Sequence, residues 1–171
     1  MILQLFLYVR YNESEFKWDD ERKKKEMREP FQRFLIAFDA ENGKPAGFMQ
    51  YQFLPEENMH GHQIPVAYCW EIMIAEDYQG QGIGWQFMKM LEVLGRAWDM
   101  EKTMLTVFIH NPNARAFYEK LGYVPDEVSP SVWGLKKDYE IMSIRLRPSY
   151  IDPSLHSDEE GTLWGDEHLE F

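Results

Sequence analysis

Hydrophobic and polar residues alternate with different periods along the chain, and each period predicts a different kind of element. Apolar and aromatic residues fill 31–39 and 46–54, and the Asn-Gly pair between these segments predicts a hairpin of two strands. The polar residues of 55–63 predict a loop, and the apolar run of 64–74 predicts a third strand. The first half of the chain is therefore expected to contain an antiparallel meander.

Two longer segments show the spacing of helices. Asn12 is a candidate N-cap and Pro30 a stop signal, so residues 12–29 are expected to be helical. Residues 82–98 repeat apolar positions at helical spacing, which predicts an amphipathic helix. The apolar face predicted for this helix consists of Ile83, Phe87, Leu91, Leu94 and Trp98.

The chain continues with a predicted buried strand over 102–109, a short helix over 113–121 and a last strand over 139–147. The order β-β-β-α-β-α-β predicts a mixed α/β fold in one domain, which we expect to span residues 1–147.

The composition favours a folded domain. A chain of 171 residues with 44% hydrophobic and 15% aromatic residues can build a core, which excludes a disordered protein. No apolar run approaches the ~20 residues of a membrane helix, so no membrane association is expected. The apolar first ten residues lack the basic flank and the cleavage site of a signal peptide.

The formal net charge is −11, and seven of the acidic residues lie in 148–171, where there is no Lys or Arg. We expect this segment to be a flexible acidic tail. An acidic protein without a basic stripe is a poor candidate for nucleic-acid binding, whereas its field attracts cationic partners. The alternative is that the tail only keeps the protein in solution.

The only cysteine, Cys69, excludes an internal disulfide and a zinc site built from cysteines, and a cytosolic or nuclear compartment is expected. Cys69 has no adjacent His that would make it a nucleophile, so a small buried residue is the better interpretation. His60 and His62 have no third ligand nearby, so we interpret them as loop residues and expect no metal.

The most informative stretch is Gln-Gly-Gln-Gly-Ile-Gly at 79–84, between a predicted strand and the amphipathic helix. Glycines allow the backbone to approach a ligand, and the free N–H groups at a helix N-terminus attract phosphate. The sequence therefore predicts a pyrophosphate site, with a glycine-rich turn that binds nothing as the alternative. The glycine spacing differs from the dinucleotide fingerprint, and no Gly-Lys-Ser/Thr follows.

Together with the run from Asn111 to Tyr123 (Asn-Pro-Asn-Ala-Arg-Ala-Phe-Tyr-Glu-Lys-Leu-Gly-Tyr), this motif resembles the GNAT acetyltransferases. The resemblance implies a mixed, mostly antiparallel sheet with splayed central strands and flanking helices. It also implies acetyl-CoA as co-substrate, with its pantetheine along one strand and its pyrophosphate on the glycine loop. The implied cofactor-binding residues are Ile72, Met73, Ile74, Gln79, Gly80, Gln81, Gly82, Ile83, Gly84, Trp85 and Asn111. For Asn111, a helix cap is the alternative.

Further blocks are similar to the NatD family within this class: the segment from Tyr11 to Met27, Tyr-Cys-Trp-Glu at 68–71, the run 104–111, Ser-Pro-Ser at 129–131 and Tyr-Glu-Ile at 139–141. That family acetylates the N-terminal amine of histone H4 and of the histone that shares its first residues, Ser-Gly-Arg-Gly. The resemblance implies a basic histone tail as partner, a monomeric enzyme, and a location in nucleus and cytoplasm.

The chain departs from the NatD pattern at several positions. Phe16 stands where the family commonly has Trp, Trp70 stands where it has Tyr, and Leu54 stands where it has an Asp that grips the substrate. The family also has a longer N-terminus before the position of Tyr11, so we expect that its first strand has no full counterpart in this sequence.

Glu71 is the candidate general base, since the protonated α-amine must lose a proton before it attacks the thioester; a structural salt bridge is the alternative. Tyr118 is the candidate acid for the leaving thiolate, with aromatic packing as the alternative. The resemblance implies a peptide slot lined by Tyr11, Tyr68, Trp70, Thr106 and Tyr139. Glu56 and Glu57 are the acids expected to replace the missing Asp and bind the substrate Arg.

Two other functions remain open on the sequence. One is a GNAT acetyltransferase for another amine, such as a lysine side chain, a different N-terminus or a polyamine. The other is a degenerate acetyl-CoA-binding adaptor without activity.

Overall fold

A computed structural model describes residues 19–146. The elements in chain order are α1 (Asp20–Glu26), β1 (Arg33–Phe38), β2 (Pro45–Glu57), β3 (Gln63–Ile74), α2 (Ile83–Ala97), β4 (Lys102–Phe108), α3 (Pro112–Lys120), β5 (Val124–Pro125) and β6 (Tyr139–Arg145). Short 3₁₀ helices lie at Glu76–Tyr78 and Pro130–Trp133. No helix among the residues described is long and apolar enough to cross a membrane.

The strands form one six-stranded sheet in the order β1-β2-β3-β4-β6-β5. Strands β1, β2 and β3 form the predicted meander, and β4 pairs antiparallel with β6. Strands β3 and β4 run parallel, because α2 carries the chain back across the sheet between them. The predicted mixed sheet is therefore confirmed.

The main core lies between α2 and one face of the sheet. Helix α2 buries Phe87, Met88 and Leu91 against residues of β2, β3 and β4, and Gly95 lets the helix approach Ala67 closely. A smaller cluster on the opposite face contains Ile64, Val66 and Met104. We call this opposite side of the sheet the slot face.

Helix α2 matches its predicted bounds within one residue at each end, but its predicted apolar face is wrong at Trp98, which is 62% exposed beyond the last turn. The buried stripe includes Glu92 instead, whose carboxylate pairs with Lys89 at 3.0 Å. Burial of that carboxylate is tolerated because the lysine neutralises it.

The predicted loop over 55–63 is confirmed at 58–62 but is wrong at its two ends, since β2 runs to Glu57 and β3 starts at Gln63. Pro55 and Pro65 face each other in this extension. β1 pairs with β2 only as far as Tyr51, and β4 pairs with β3 only from Val66 onward. In the described sheet, neither proline therefore removes a ladder hydrogen bond to β1 or β4.

Within the described part, the predicted helix over 12–29 is confirmed at Asp20–Glu26, where α1 lies, but this helix starts after Asp19 and ends before the predicted stop at Pro30. Asp19 has an extended backbone (φ −142°, ψ 113°), and its carboxylate accepts the N–H groups of Glu21 and Arg22 as the N-cap of α1. The predicted cap at Asn12, the slot residue Tyr11 and the acidic tail 148–171 lie outside the described residues. The division into a domain and a tail stays a prediction.

Candidate active site

Strands β3 and β4 separate in the middle of the sheet. Their pairing covers Val66 to Cys69 of β3 and Lys102 to Leu105 of β4. Beyond Cys69, β3 continues to Ile74 without a further β4 partner among the residues described. The backbone N–H and C=O groups of this edge can therefore pair with an extended ligand inserted between the strands.

The glycine motif closes the wide end of this gap. Gly80 and Gly82 have positive φ values of 74° and 82°, a conformation that favours glycine. Gly82 is the N-cap of α2 and supplies no side chain, so within the described residues no side chain caps the first N–H groups of the helix. This arrangement of free N–H groups at a helix N-terminus suits a pyrophosphate.

Hydrogen bonds fix the loop against the end of β3. The Gln79 side-chain amide donates to the Ile74 carbonyl at 3.1 Å, and the Gln81 amide donates to the Asp77 carbonyl at 3.2 Å. Gly84 lies against α3, where an added Cβ would be 3.4 Å from the Phe117 ring. Trp85 is 52% exposed on the first turn of α2.

Helix α3 brings the second block of the family motif to the same gap. The Asn111 side chain accepts the Ala114 N–H at 3.3 Å, so the helix-cap interpretation of Asn111 is realised. Tyr118 packs edge-on against the rings of Phe117 and Tyr123, at centroid distances of 5.1 and 6.1 Å, at the margin of the main core. The packing interpretation of Tyr118 therefore has a direct contact, and its role as an acid stays a prediction.

A β-bulge changes the phase of β3 within the Tyr-Cys-Trp-Glu block. Tyr51 pairs with Cys69 and its neighbour Gln50 pairs with Glu71, so Trp70 is the extra residue. Cys69 packs into the main core before the bulge, and Ile72 and Ile74 pack against that core after it. Glu71 is thereby turned away from the main core and faces the same side of the sheet as Gln50. A strictly alternating pattern would have placed it beside Cys69.

The slot face brings together most of the described residues that the family resemblance assigned to the substrate. The Tyr68 hydroxyl lies 2.6 Å from the Thr106 hydroxyl oxygen, and the Tyr68 and Trp70 rings are 5.0 Å apart. Burial raises the pKa of Tyr68 to about 12, and nearby Glu56 and Tyr139 add smaller effects in the same direction. Tyr68 therefore stays protonated at neutral pH and cannot act as a base there.

Glu71 forms a buried ion pair that the sequence alone did not identify. Its Oε2 lies 2.7 Å from the Lys23 ammonium of α1, and the two side chains are 6% and 10% exposed. Burial raises the pKa of the Glu71 carboxyl above its usual range, while Lys23 opposes this shift and Glu26 adds to it. The salt-bridge alternative for Glu71 is thus present, and it coexists with a raised pKa of the kind that general bases use.

Glu56 and Glu57 lie on opposite faces of β2. Glu56 pairs with Ile64, which belongs to the slot-face cluster, and burial raises the pKa of the Glu56 carboxyl. Glu57 is exposed at the next position, near Gly61 in the β2–β3 turn. The structure therefore separates two acids that adjacency in the sequence had grouped, and only Glu56 shares the slot face with Tyr68.

The other candidate groups have ordinary surroundings. Cys69 is buried, and burial raises the pKa of its thiol to about 12, which disfavours the thiolate. His60 and His62 are exposed in the β2–β3 turn, where their backbone N–H groups donate to the Asn58 side-chain oxygen. The described residues contain no group of three or more His, Cys, Asp or Glu side chains that could hold a metal ion.

Lys23, Glu26 and Gln50 are site residues that sequence reasoning missed. Lys23 and Glu26 lie one turn apart in a highly charged segment whose composition indicates a solvated helix. The available signal was Glu71 itself, because a carboxylate predicted to be buried requires a cation, and the cation is supplied by the helix that precedes the sheet.

The separated parallel strands and the uncapped glycine loop agree with the acetyltransferase resemblance of the sequence. A model of the acetyltransferase (GNAT) family matches residues 3–123. The chain belongs to this family. The family uses acetyl-CoA, which fits the free loop N–H groups and the unpaired edge of β3 described above.

Comparisons with individual proteins find similar sequences and similar structures. The chain is 31% identical over 67 residues to the uncharacterized N-acetyltransferase YycN of Bacillus subtilis (strain 168); the match spans 39% of this chain and 43% of that protein. Its structure is similar to the ribosomal-protein-S18-alanine N-acetyltransferase of Escherichia coli, with a TM-score of 0.58 at 21% identity over 87% of this chain and 91% of that one. It is also similar to the NatC complex bound to Gag peptide and CoA, with a TM-score of 0.55 at 19% identity over 67% of this chain and 71% of that chain.

Proposed function

We propose that this protein is an N-terminal acetyltransferase of the NatD type, which transfers acetyl from acetyl-CoA to the α-amine of a protein beginning Ser-Gly-Arg-Gly. The observation that supports this proposal is the position of Glu71 on the bulge of β3. The bulge brings a buried carboxylate with a raised pKa next to the gap between β3 and β4, beside the aromatic pair Tyr68 and Trp70. An α-ammonium that enters the gap meets a base at the place where the thioester is expected.

The proposed reaction is a direct transfer in a ternary complex. Glu71 takes a proton from the α-ammonium, directly or through water, and the freed nitrogen forms a bond to the acetyl carbon. The bond from that carbon to the CoA sulfur breaks, the sulfur leaves as a thiolate, and the second proton of the nitrogen passes to water or to that thiolate. Because a thiol pKa is about 8.5, this thiolate needs little help from an acid such as Tyr118.

The protein's own groups then have separate tasks. The N–H groups from Gly80 to Trp85 hold the pyrophosphate, and the backbone from Ile72 to Ile74 pairs with the pantetheine. One N–H of this β3 segment donates to the carbonyl oxygen as charge develops on it. Asn111 adds a hydrogen bond to the cofactor through an atom that does not cap α3.

The acceptor preference follows from the slot face. Tyr68, Trp70, Thr106 and Tyr139 form walls that suit a small first residue and a flexible second one. Glu56 is the carboxylate placed to pair with the substrate Arg at the third position, since a guanidinium gains most from such a partner. The net charge of −11 favours a basic partner such as a histone tail, in nucleus and cytoplasm.

Mass spectrometry of a reaction with acetyl-CoA and a Ser-Gly-Arg-Gly-Lys peptide tests the proposal. We expect one acetyl group, located on the α-amine, and no product from the same peptide with a blocked N-terminus. Labelling of the lysine side chain, or of a polyamine in preference to either peptide, would replace the proposal with a GNAT acetyltransferase for another amine. Binding of acetyl-CoA without any product would favour the adaptor.

A further inference from the structure

Three charged groups meet behind the proposed base. Lys23 lies between two carboxylates, with its ammonium 2.6 Å from Glu26 Oε1 and 2.7 Å from Glu71 Oε2. Gln50, fully buried and paired with Glu71 across the β2–β3 ladder, approaches Glu26 Oε1 at 3.4 Å. The group therefore joins α1, β2 and β3, and it ties the helix to the bulge.

The two oxygens of Glu71 have different surroundings. Both oxygens are buried and neither accepts a well-oriented hydrogen bond within the described part of the chain, but Oε2 is the one nearest to the Lys23 ammonium, at 2.7 Å, whereas Oε1 lies farther from that cation. A buried carboxylate oxygen without a donor is unfavourable. A substrate ammonium that donates to Oε1 would satisfy this oxygen.

The charges of the cluster also do not cancel. Among the described groups, one ammonium faces two carboxylates, so these three groups have a formal charge of −1 when all are ionised. The incoming α-ammonium has the charge that balances it. The described charged groups that act on Glu71 are Lys23 and Glu26 from α1; Gln50 of β2 pairs with Glu71 in the strand ladder, and the buried Cys69 thiol is nearby on β3.

We propose that Lys23 is a positioning residue, which holds Glu71 through Oε2 so that Oε1 remains for the substrate amine, and that Lys23 and Glu26 together set the pH at which Glu71 becomes active. This inference rests on the proposed role of Glu71 as base. It makes α1 part of the catalytic apparatus although neither Lys23 nor Glu26 touches the reacting atoms.

The test compares two substitutions that act on Glu71 with opposite sign. In Lys23→Met the cation is lost, so the Glu71 carboxylate takes up a proton at a higher pH. The acidic break, which is the pH below which kcat/KM falls, therefore moves up by about one pH unit. In Glu26→Gln a neighbouring negative charge is lost, so the same break moves down. Lys23→Arg keeps the charge and should restore the break close to its original pH.

Matched measurements separate this inference from the function on which it rests. Lys24→Gln, on the exposed side of α1, should leave the profile unchanged. Glu71→Gln should remove the acidic break, and if it does not, the proposed base is wrong. If Glu71→Gln removes the break while Glu26→Gln leaves it in place or moves it upward, Lys23 and Glu26 are only structural and the inference is overturned. Glu26→Gln decides the matter even if Lys23→Met does not fold, because Lys23 keeps its contact with Glu71 in that variant.

Discussion

The cofactor half and the acceptor half of this molecule differ in the chemical groups that they present, which are backbone groups in the first and side chains in the second. The half proposed to hold acetyl-CoA consists mainly of backbone groups: the glycine loop before α2 and the unpaired edge of β3 after Cys69. The half proposed to receive the amine consists of side chains from α1, β2, β3 and β4. Backbone binding sites tolerate many side chains around them, whereas a side-chain site depends on each residue and on the register that orients it.

This difference explains why the family is evident while the acceptor requires a proposal. The glycine loop lies within the residues that the family model matches, and this match identifies the class. The Tyr68, Trp70 and Glu71 arrangement depends on one bulge and on a helix from another part of the chain. Four predictions follow the two halves in order of decreasing effect.

The largest effect on acetyl-CoA binding is expected in the cofactor half. Gly82→Val forces a β-branched residue into φ 82° at the helix N-cap and turns the loop N–H groups away from the pyrophosphate. We expect the acetyl-CoA affinity to fall about 100-fold or more, since hydrogen bonds to charged groups are worth about 1.5–3 kcal/mol each. Calorimetric titration with acetyl-CoA measures this effect.

Gly61→Val is the matched control for that experiment. Gly61 also has a positive φ, 77°, but it lies in the β2–β3 turn. The backbone strain of about 1–2 kcal/mol should be similar in both variants, and only Gly82→Val should lose the cofactor. Equal loss of affinity in both variants would mean that the effect is one of stability, and unchanged affinity in Gly82→Val would exclude the loop as a phosphate site.

The second prediction concerns pH. Burial raises the pKa of Glu71, so its base form is lost at a higher pH than for an exposed glutamate, whose pKa is 4.5. Wild-type kcat/KM should therefore fall as pH decreases, with a break above pH 4.5 that Glu71→Gln abolishes. A break at or below the ordinary glutamate value would contradict the burial of this carboxylate in the active protein.

The third prediction concerns Tyr118, which lies between the two halves. Tyr118→Phe keeps the ring contacts with Phe117 and Tyr123 and removes only the hydroxyl. We expect kcat to fall by about tenfold at most, because a thiolate of pKa about 8.5 leaves without an acid. Rapid-mixing measurement of the acetyl-transfer step would detect a larger loss, and that loss would make Tyr118 a true proton donor.

The smallest effect is expected at the edge of the acceptor half. Glu56→Gln should raise KM for a Ser-Gly-Arg-Gly-Lys peptide by about three- to tenfold, as expected for a partly exposed charge pair. Glu57→Gln, one residue later on the opposite face, is the control and should have no effect. A peptide with Ala in place of Arg should not distinguish wild type from Glu56→Gln, and if it does, Glu56 acts only through the general field.

The sequence predicts more of the cofactor half than of the acceptor half. The order of the main strands and helices along the chain, α2 within one residue and the glycine loop follow from periodicity and from residues with special backbone freedom, such as Gly82. The phase change at Trp70 leaves no local signal, because a bulge is defined by the pairing with Tyr51 and Gln50 on another strand. Lys23 is likewise indistinguishable from its charged neighbours until α1 is packed on the sheet.

The division between the halves is tested most directly by Glu71→Gln, with binding and turnover measured on one preparation. The account predicts that the affinity for acetyl-CoA stays near the wild-type value while kcat for the Ser-Gly-Arg-Gly-Lys peptide falls by ~10²–10⁴, the usual contribution of a general base. An unchanged kcat, or a loss of acetyl-CoA affinity as large as the loss of turnover, would contradict it.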